Sequence, residues 1–153
     1  MTPEQKKLVQ SSFSELLPVS DSAARFFYNR LFELDPQLRL LFRGDMHEQG
    51  RKLMQVLSVV IGGLDQSDAL IAPLRALGAR HVEYGVTTRD YETVGTAFIA
   101  MLEAELGPKF TRQTRDAWIA VYNVVASVMQ QPSVQHSTAV SPHIISIYSG
   151  GDC

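Results

Sequence analysis

The stretch LRALGARHVEYGV, residues 74–86, decides how the rest of the chain is read. At helical spacing Leu70, Leu74, Leu77 and His81 fall on one face, in steps of four, three and four. That face is apolar until it reaches His81, and Gly85 is a natural residue to end the helix. A histidine closing an apolar stripe has two readings. It is a core residue whose ring is satisfied by a backbone carbonyl, or it is a metal ligand. One histidine does not choose between them, so the surroundings must.

The chain has 153 residues, a length suited to one domain with a substantial core. With 14 basic and 16 acidic residues the net charge is −2, which provides no broad basic field for nucleic acid. The one cysteine, Cys153, excludes an intrachain disulfide and fits a reducing compartment. MTPEQKKLVQ at the N-terminus lacks the apolar core of a signal peptide. LMQVLSVVIGGL, residues 53–64, is too short to span a bilayer and is interrupted by Gln55 and Ser58. These features predict a cytoplasmic protein with no membrane and no nucleic-acid partner.

Helical periodicity dominates as far as residue 131. TPEQ at Thr2–Gln5 is a capping box, opening a helix that carries Leu8, Val9, Phe13 and Leu16 and stops at Pro18. Ser20 and Asp21 are expected to cap a second helix with Ala24, Phe27, Tyr28 and Leu31 inward. Asp35-Pro36 starts a short third helix reaching Phe42, and RGDMHEQG reads as a loop entering a fourth. On that fourth helix Gln49, Leu53, Val56, Leu57, Val60, Ile61 and Leu64 form a broad stripe. The His81 helix spans roughly 68–84, with Pro73 in its first turn or bending it. Thr87 or Thr88 caps the next helix, with Tyr91, Val94, Phe98 and Leu102 inward. Thr111 caps the last, which buries Trp118, Val121, Tyr122, Val125 and Val128. The expected body is all-α with about seven to eight helices, covering residues 1–131. Residues 132–153 read as a flexible or loosely docked tail, in which HIISIY is an apolar run.

The histidines are His47, His81, His136 and His143, with no HxxxH or HxxE pair and no cysteine nearby, which disfavours a multi-ligand zinc or di-iron site. GxxxxGK[ST], GxGxxG and GxSxG are also missing. Haem suits a single histidine in a helical body, because the porphyrin itself supplies four of the iron's ligands.

Five segments then carry a resemblance. FFYNRLFELDPQLRLLF (26–42), GRKLMQVL (50–57), LGARHVEYGV (77–86), DYETVG (90–95) and LGPKFTRQTRDAW (106–118) occur in order and at intact spacing. The chain resembles a bacterial single-domain globin of the flavohaemoglobin and neuroglobin-like branch, over roughly residues 3–131. The resemblance implies a three-over-three helical sandwich around haem b (iron protoporphyrin IX). It implies His81 as the proximal iron ligand, and Phe42, Leu53, Val86 and Tyr91 as haem contacts. Lys52 and Arg80 are the cations for the propionates. Tyr28 and Gln49 fall at the two distal polar positions, where a phenol and an amide donate hydrogen bonds to a bound gas. An amide is a poor iron ligand and His47 is two residues off phase, so an open site is expected.

The implied function is reversible, high-affinity binding of dioxygen, with carbon monoxide and nitric oxide as further ligands. Two alternatives are a nitric oxide dioxygenase that uses Tyr28 and Gln49 with an external reductase, and a haem-based gas or redox sensor. In the flavohaemoglobin pattern a tyrosine and a glutamate hold the proximal histidine. Tyr91 matches the tyrosine, but Ser133 stands at the glutamate position, so the relay is incomplete. The expected assembly is a monomer or weak dimer.

Overall fold

A computed structural model describes residues 1–131. The expectations for the tail, for His136, His143 and Ser133, and for Cys153 lie outside the described residues. Six α-helices and four short 3-10 helices make up the described part. They are α1 (Pro3–Leu16), α2 (Ser20–Leu34), α3 (Met46–Gly62), α4 (Asp68–Glu83), α5 (Thr88–Leu106) and α6 (Arg112–Met129). The expected third helix is the 3-10 segment Pro36–Leu41, entered through Asp35, whose carboxylate accepts from the Gln37 amide. The count of seven to eight thus becomes six α-helices, because the connections tighten into 3-10 segments of one or two turns.

Local chemistry explains most of the ends. Thr2 with Gln5 and Thr87 with Asp90 form complete capping boxes, and Asp45 and Thr111 cap α3 and α6 through their side chains. One expectation needs correction, and of the two placings of Pro73 the first-turn one falls away. Ser20 and Asp21 do not cap α2; its N-cap is Val19 with no side-chain bond, since the chain runs in from the helical turn Leu17–Val19. Pro73 sits inside α4, past the first turn. Its missing N–H deprives one carbonyl of its partner.

The α4 terminus behaves as its glycine predicts. Gly85 adopts φ +94°, its N–H bonds to Val82 O, and the Val86 N–H returns to His81 O at 2.9 Å. This closure turns the chain directly from His81 into Val86 and α5.

Helices α1, α3 and α4 lie over α2, α5 and α6, with α1 on α6, α2 on α3 and α4 on α6 as the main crossings between layers. Trp118 of α6 is fully enclosed and donates its indole N–H to Ser12 of α1 at 2.8 Å. Buried apolar side chains form two clusters. A large one surrounds Phe13, Phe27, Phe98 and Trp118, and a smaller one joins Val56, Val60, Leu74, Leu77 and Met129.

Two glycines set the helix spacing. A Cβ on Gly50 would stand 2.8 Å from Ala24 Cβ, and one on Gly78 would stand 1.8 Å from the Met129 carbonyl oxygen. The second conflict is with backbone and cannot be relieved by a rotamer change. Gly78→Ala is therefore expected to destabilise the chain by about 3 kcal/mol, at the upper end of overpacking effects. Gly62→Ala, whose Cβ meets nothing within 4 Å, should be neutral or stabilising by about 0.5–1 kcal/mol. Urea unfolding of the two variants checks both, and equal midpoints would refute the close α4–α6 approach.

Candidate functional site

The stripe on α4 ends where expected. Leu74 and Leu77 are buried, and His81 is only 9% exposed. His81 Nδ1 lies 2.9 Å from the Leu77 carbonyl oxygen. A carbonyl only accepts, so the proton is on Nδ1 and the lone pair belongs to Nε2. Burial lowers the His81 pKa below its ordinary 6.5, partly opposed by this backbone bond, and the ring is neutral at pH 7. The Tyr91 ring lies beside it, nearly parallel at 27° with centroids 6.3 Å apart.

His81 stands on the wall of a cavity of about 160 Å³, an order of magnitude above the roughly 10–15 Å³ that one water needs. The wall is almost wholly apolar. Helix α4 supplies Leu74 and Leu77, α3 supplies Leu53, Val56 and Val60, and α6 closes the end with Met129. Val86, Tyr91, Phe42 and Tyr28 complete the group of expected residues that the fold brings together here. Phe42 meets Tyr28 edge-on at 5.3 Å and Phe32 at 5.6 Å, so the end of the 3-10 segment is clamped against α2.

Three expected residues are not on this wall. Gln49 is buried at 4% exposure, one turn before Leu53, and its Nε2 has no hydrogen-bond partner. Lys52 is half-buried and off the wall. Arg80 is turned aside: its guanidinium donates to Tyr84 Oη at 3.0 Å and lies 5.8 Å from that ring's centre, while its buried Nε has no partner. His47 is also off this wall, with a side chain 61% exposed and Nε2 3.9 Å from Asp21 Oδ1.

Most of the wall was read from the sequence only as core, and two polar members of it, Asp90 and Tyr122, escaped as site residues. Asp90 brings a carboxylate to the wall, but the sequence shows it only as part of a helix start. Tyr122 donates its hydroxyl to the Tyr91 carbonyl at 2.6 Å, tying α6 to the first turn of α5 beneath the His81 neighbour. Burial pushes the Tyr122 phenol well above its ordinary pKa of 10, with the Tyr91 phenol adding to the effect. Its place on the inward stripe of α6 was the available signal.

No three His, Cys, Asp or Glu side chains converge on a metal-sized site among the described residues. A metal held by His81 would have to bring most of its ligands with it.

The profile of the family described as Globin matches residues 25–129, more than half of the chain. The chain belongs to the globin family, and its fold is the globin fold. Neuroglobin of Danio rerio is 32% identical over 143 residues, covering 84% of this chain and 90% of that protein. Neuroglobin of Dissostichus mawsoni is 29% identical over 145 residues, covering 86% and 91%. A flavohemoprotein of Bordetella pertussis is 28% identical over 133 residues; these cover 84% of this chain but 33% of that protein, so the match spans a third of its length. The globin domain of HGbRL, in a crystal structure of its closed form, is 39% identical, with 84% and 94% covered and a TM-score of 0.40. No helix among the described residues is long and apolar enough to cross a membrane.

The lowered His81 pKa sets a pH dependence for the chain alone. The unfolded chain takes up the proton near pH 6.5 and the folded chain only below that. Stability is thus fully present above pH 6.5 and is lost as pH falls from there through the lowered native value. Denaturant titrations at stepped pH should show this loss, and His81→Gln should remove it. An unchanged pH profile in the variant would contradict a buried neutral ring.

Proposed function

We propose that this chain is a haem-binding globin that reversibly holds dioxygen and other diatomic gases with high affinity. In this reading His81 is the ligand to the iron of haem b, and Tyr28 with Gln49 forms the polar side. The observation that carries it is the His81 ring itself, which is buried on an apolar wall with Nδ1 on the Leu77 carbonyl and the lone pair on Nε2. The residues fit the group. The walls offer apolar surface to a flat macrocycle, and a porphyrin supplies the ligands that the chain does not assemble around His81.

Haem supplies the iron centre at which a diatomic gas binds reversibly. The chain supplies the surroundings. The Leu77 carbonyl fixes the tautomer and rotation of His81, and Tyr91 packs beside it. Phe42, Leu53 and Val86 exclude water from the walls. In so apolar a space one hydrogen-bond donor counts for more than it does in water. Tyr28, 6% exposed and on the cavity wall, is the phenol proposed to donate its hydroxyl proton to the gas. Gln49 is proposed to add its unpartnered amide by turning toward the cavity. Lys52 and Arg80 are proposed for the propionates, Arg80 leaving Tyr84 to reach them. A cytoplasmic location belongs to the same proposal.

Absorption spectra of the ferric and reduced protein, with and without carbon monoxide, test the reading. A Soret band, lost in His81→Ala and restored by added imidazole, is the expected result. No haem uptake on reconstitution would sink the proposal. Tyr28→Phe removes a hydrogen bond to a charged or strongly polarised partner, worth about 1.5–3 kcal/mol. It should speed oxygen release about 10- to 100-fold, and an unchanged rate would refute the role of the phenol.

A second reading, nitric oxide dioxygenation with a separate reductase, is supported by the similarity to flavohemoproteins, of which the match spans a third. The net reaction joins nitric oxide, dioxygen and one electron into nitrate, so a donor is required at every cycle. Many turnovers of nitrate with an added reductase would favour it; one turnover per protein would not.

A further inference from the structure

A second cavity, of about 180 Å³, lies between the outer part of α2 and the start of α3. Its wall is more polar than that of the first, although Ala24, Phe32 and Met46 keep much of it apolar. Arg25, Asn29 and Asp21 line it from α2, Arg39 from the 3-10 segment and His47 from the first turn of α3, while Tyr28 contributes to both cavities. Ala24 and Gly50, where α3 crosses tightly on α2, also stand on its wall.

The charges are unbalanced. The ion pairs among the described residues join Arg30 to Glu33, Arg51 to Glu48, Lys109 to Glu15 and His47 to Asp21. Arg25 and Arg39 take part in none of them, although the chain carries more acids than bases. Asp21 precedes Arg25 by four residues on α2, yet its ion-pair contact is with His47, and that is a loose 3.9 Å. The other carboxylates close in sequence are engaged elsewhere: Glu33 pairs with Arg30 and Glu48 with Arg51, while Asp35 and Asp45 accept from the Gln37 and His47 backbone amides at 3.1 and 3.0 Å. Arg39 is held in place by Phe32, with its guanidinium 5.4 Å from the ring centre. Two guanidinium groups, an amide and an imidazole from three elements therefore line a space large enough for a small ion, against one carboxylate.

We propose that this cavity binds a small inorganic oxyanion of the nitrate or phosphate type, with Arg25 and Arg39 as the charged donors and Asn29 and His47 as polar partners. Guanidinium groups suit oxyanions because they present parallel N–H donors. Both arginines are exposed, so solvent screening limits the affinity to about 1 mM. The site does not depend on haem. Because Tyr28 is shared with the inner cavity, an anion held here lies close behind the proposed gas donor, and that consequence alone rests on the functional reading above.

The test is calorimetric titration of the full chain with phosphate and with nitrate, against chloride at matched ionic strength, with and without haem. The Nε–H resonances of Arg25 and Arg39 are followed alongside. Saturable oxyanion binding, at least tenfold weaker in Arg25→Gln and in Arg39→Gln and unchanged in the remote Arg112→Gln, is expected, with both resonances moving on titration. Chloride acting equally well, or binding that survives the double arginine variant, would overturn the site. A nucleoside monophosphate binding more than tenfold tighter than phosphate would overturn the restriction to a free ion. Measuring the chain without haem keeps a failure of the gas-binding reading separate from a failure here.

Discussion

The site depends on how closely α4 approaches the end of α6. A helix normally keeps its neighbour a side chain away, but at Gly78 the Met129 carbonyl occupies the volume a methyl group would take. This contact presses Leu74 and Leu77 into the small core with Val56, Val60 and Met129. His81 is then carried on a packed helix face rather than on a mobile loop. Leu77 has two roles: its side chain anchors the helix, and its carbonyl orients the imidazole one turn later. A shift of α4 would alter the seat of the ring and its tautomer together.

The divided core follows from the same geometry. Ordinary interiors close on themselves at crystal-like density. Here two apolar clusters flank a space whose walls belong to both, with Phe27, Leu31 and Phe98 from one and Leu74, Leu77 and Met129 from the other. A group bound between them touches both at once, so its binding energy adds to the stability of the folded state by mass action. The aromatic chain Phe27–Tyr28–Phe42–Phe32 makes one side of this space stiff, while Gly85 and the closure at Val86 fix the other.

Much of this was legible in the residues, for identifiable reasons. Caps at Thr2, Asp35, Thr87 and Thr111 follow from side-chain oxygens meeting the first free amides, which is a local rule. Buried faces follow from helical phase, which placed Leu74, Leu77 and His81 together. Ser20 and Asp21 misled because a cap is needed only where a helix starts from extended chain, and α2 starts from a helical turn. Gln49 shows what phase leaves open. It shares a face with Leu53 and is the more deeply buried of the two, yet only Leu53 reaches the wall, since phase fixes direction around a helix and not where the neighbouring helix ends. Long side chains are less legible still. Arg80 lies beside His81 in sequence, but a Tyr84 hydroxyl four residues on takes its guanidinium, and nothing in the spacing ranks that contact above another.

Tyr28 divides two kinds of space. On one side the walls are aliphatic and aromatic around a neutral imidazole; on the other they carry arginines, an amide and an exposed ion pair. A hydrogen bond made on the first side is strengthened by the low polarity around it, whereas one made on the second competes with water and salt. Helix α2 can serve both because Ala24, one turn before Tyr28, lets α3 cross close above it. That tight crossing brings Leu53 over the apolar side and His47 over the polar side from the same helix. A larger side chain at Gly50 would alter both cavities through that one displacement.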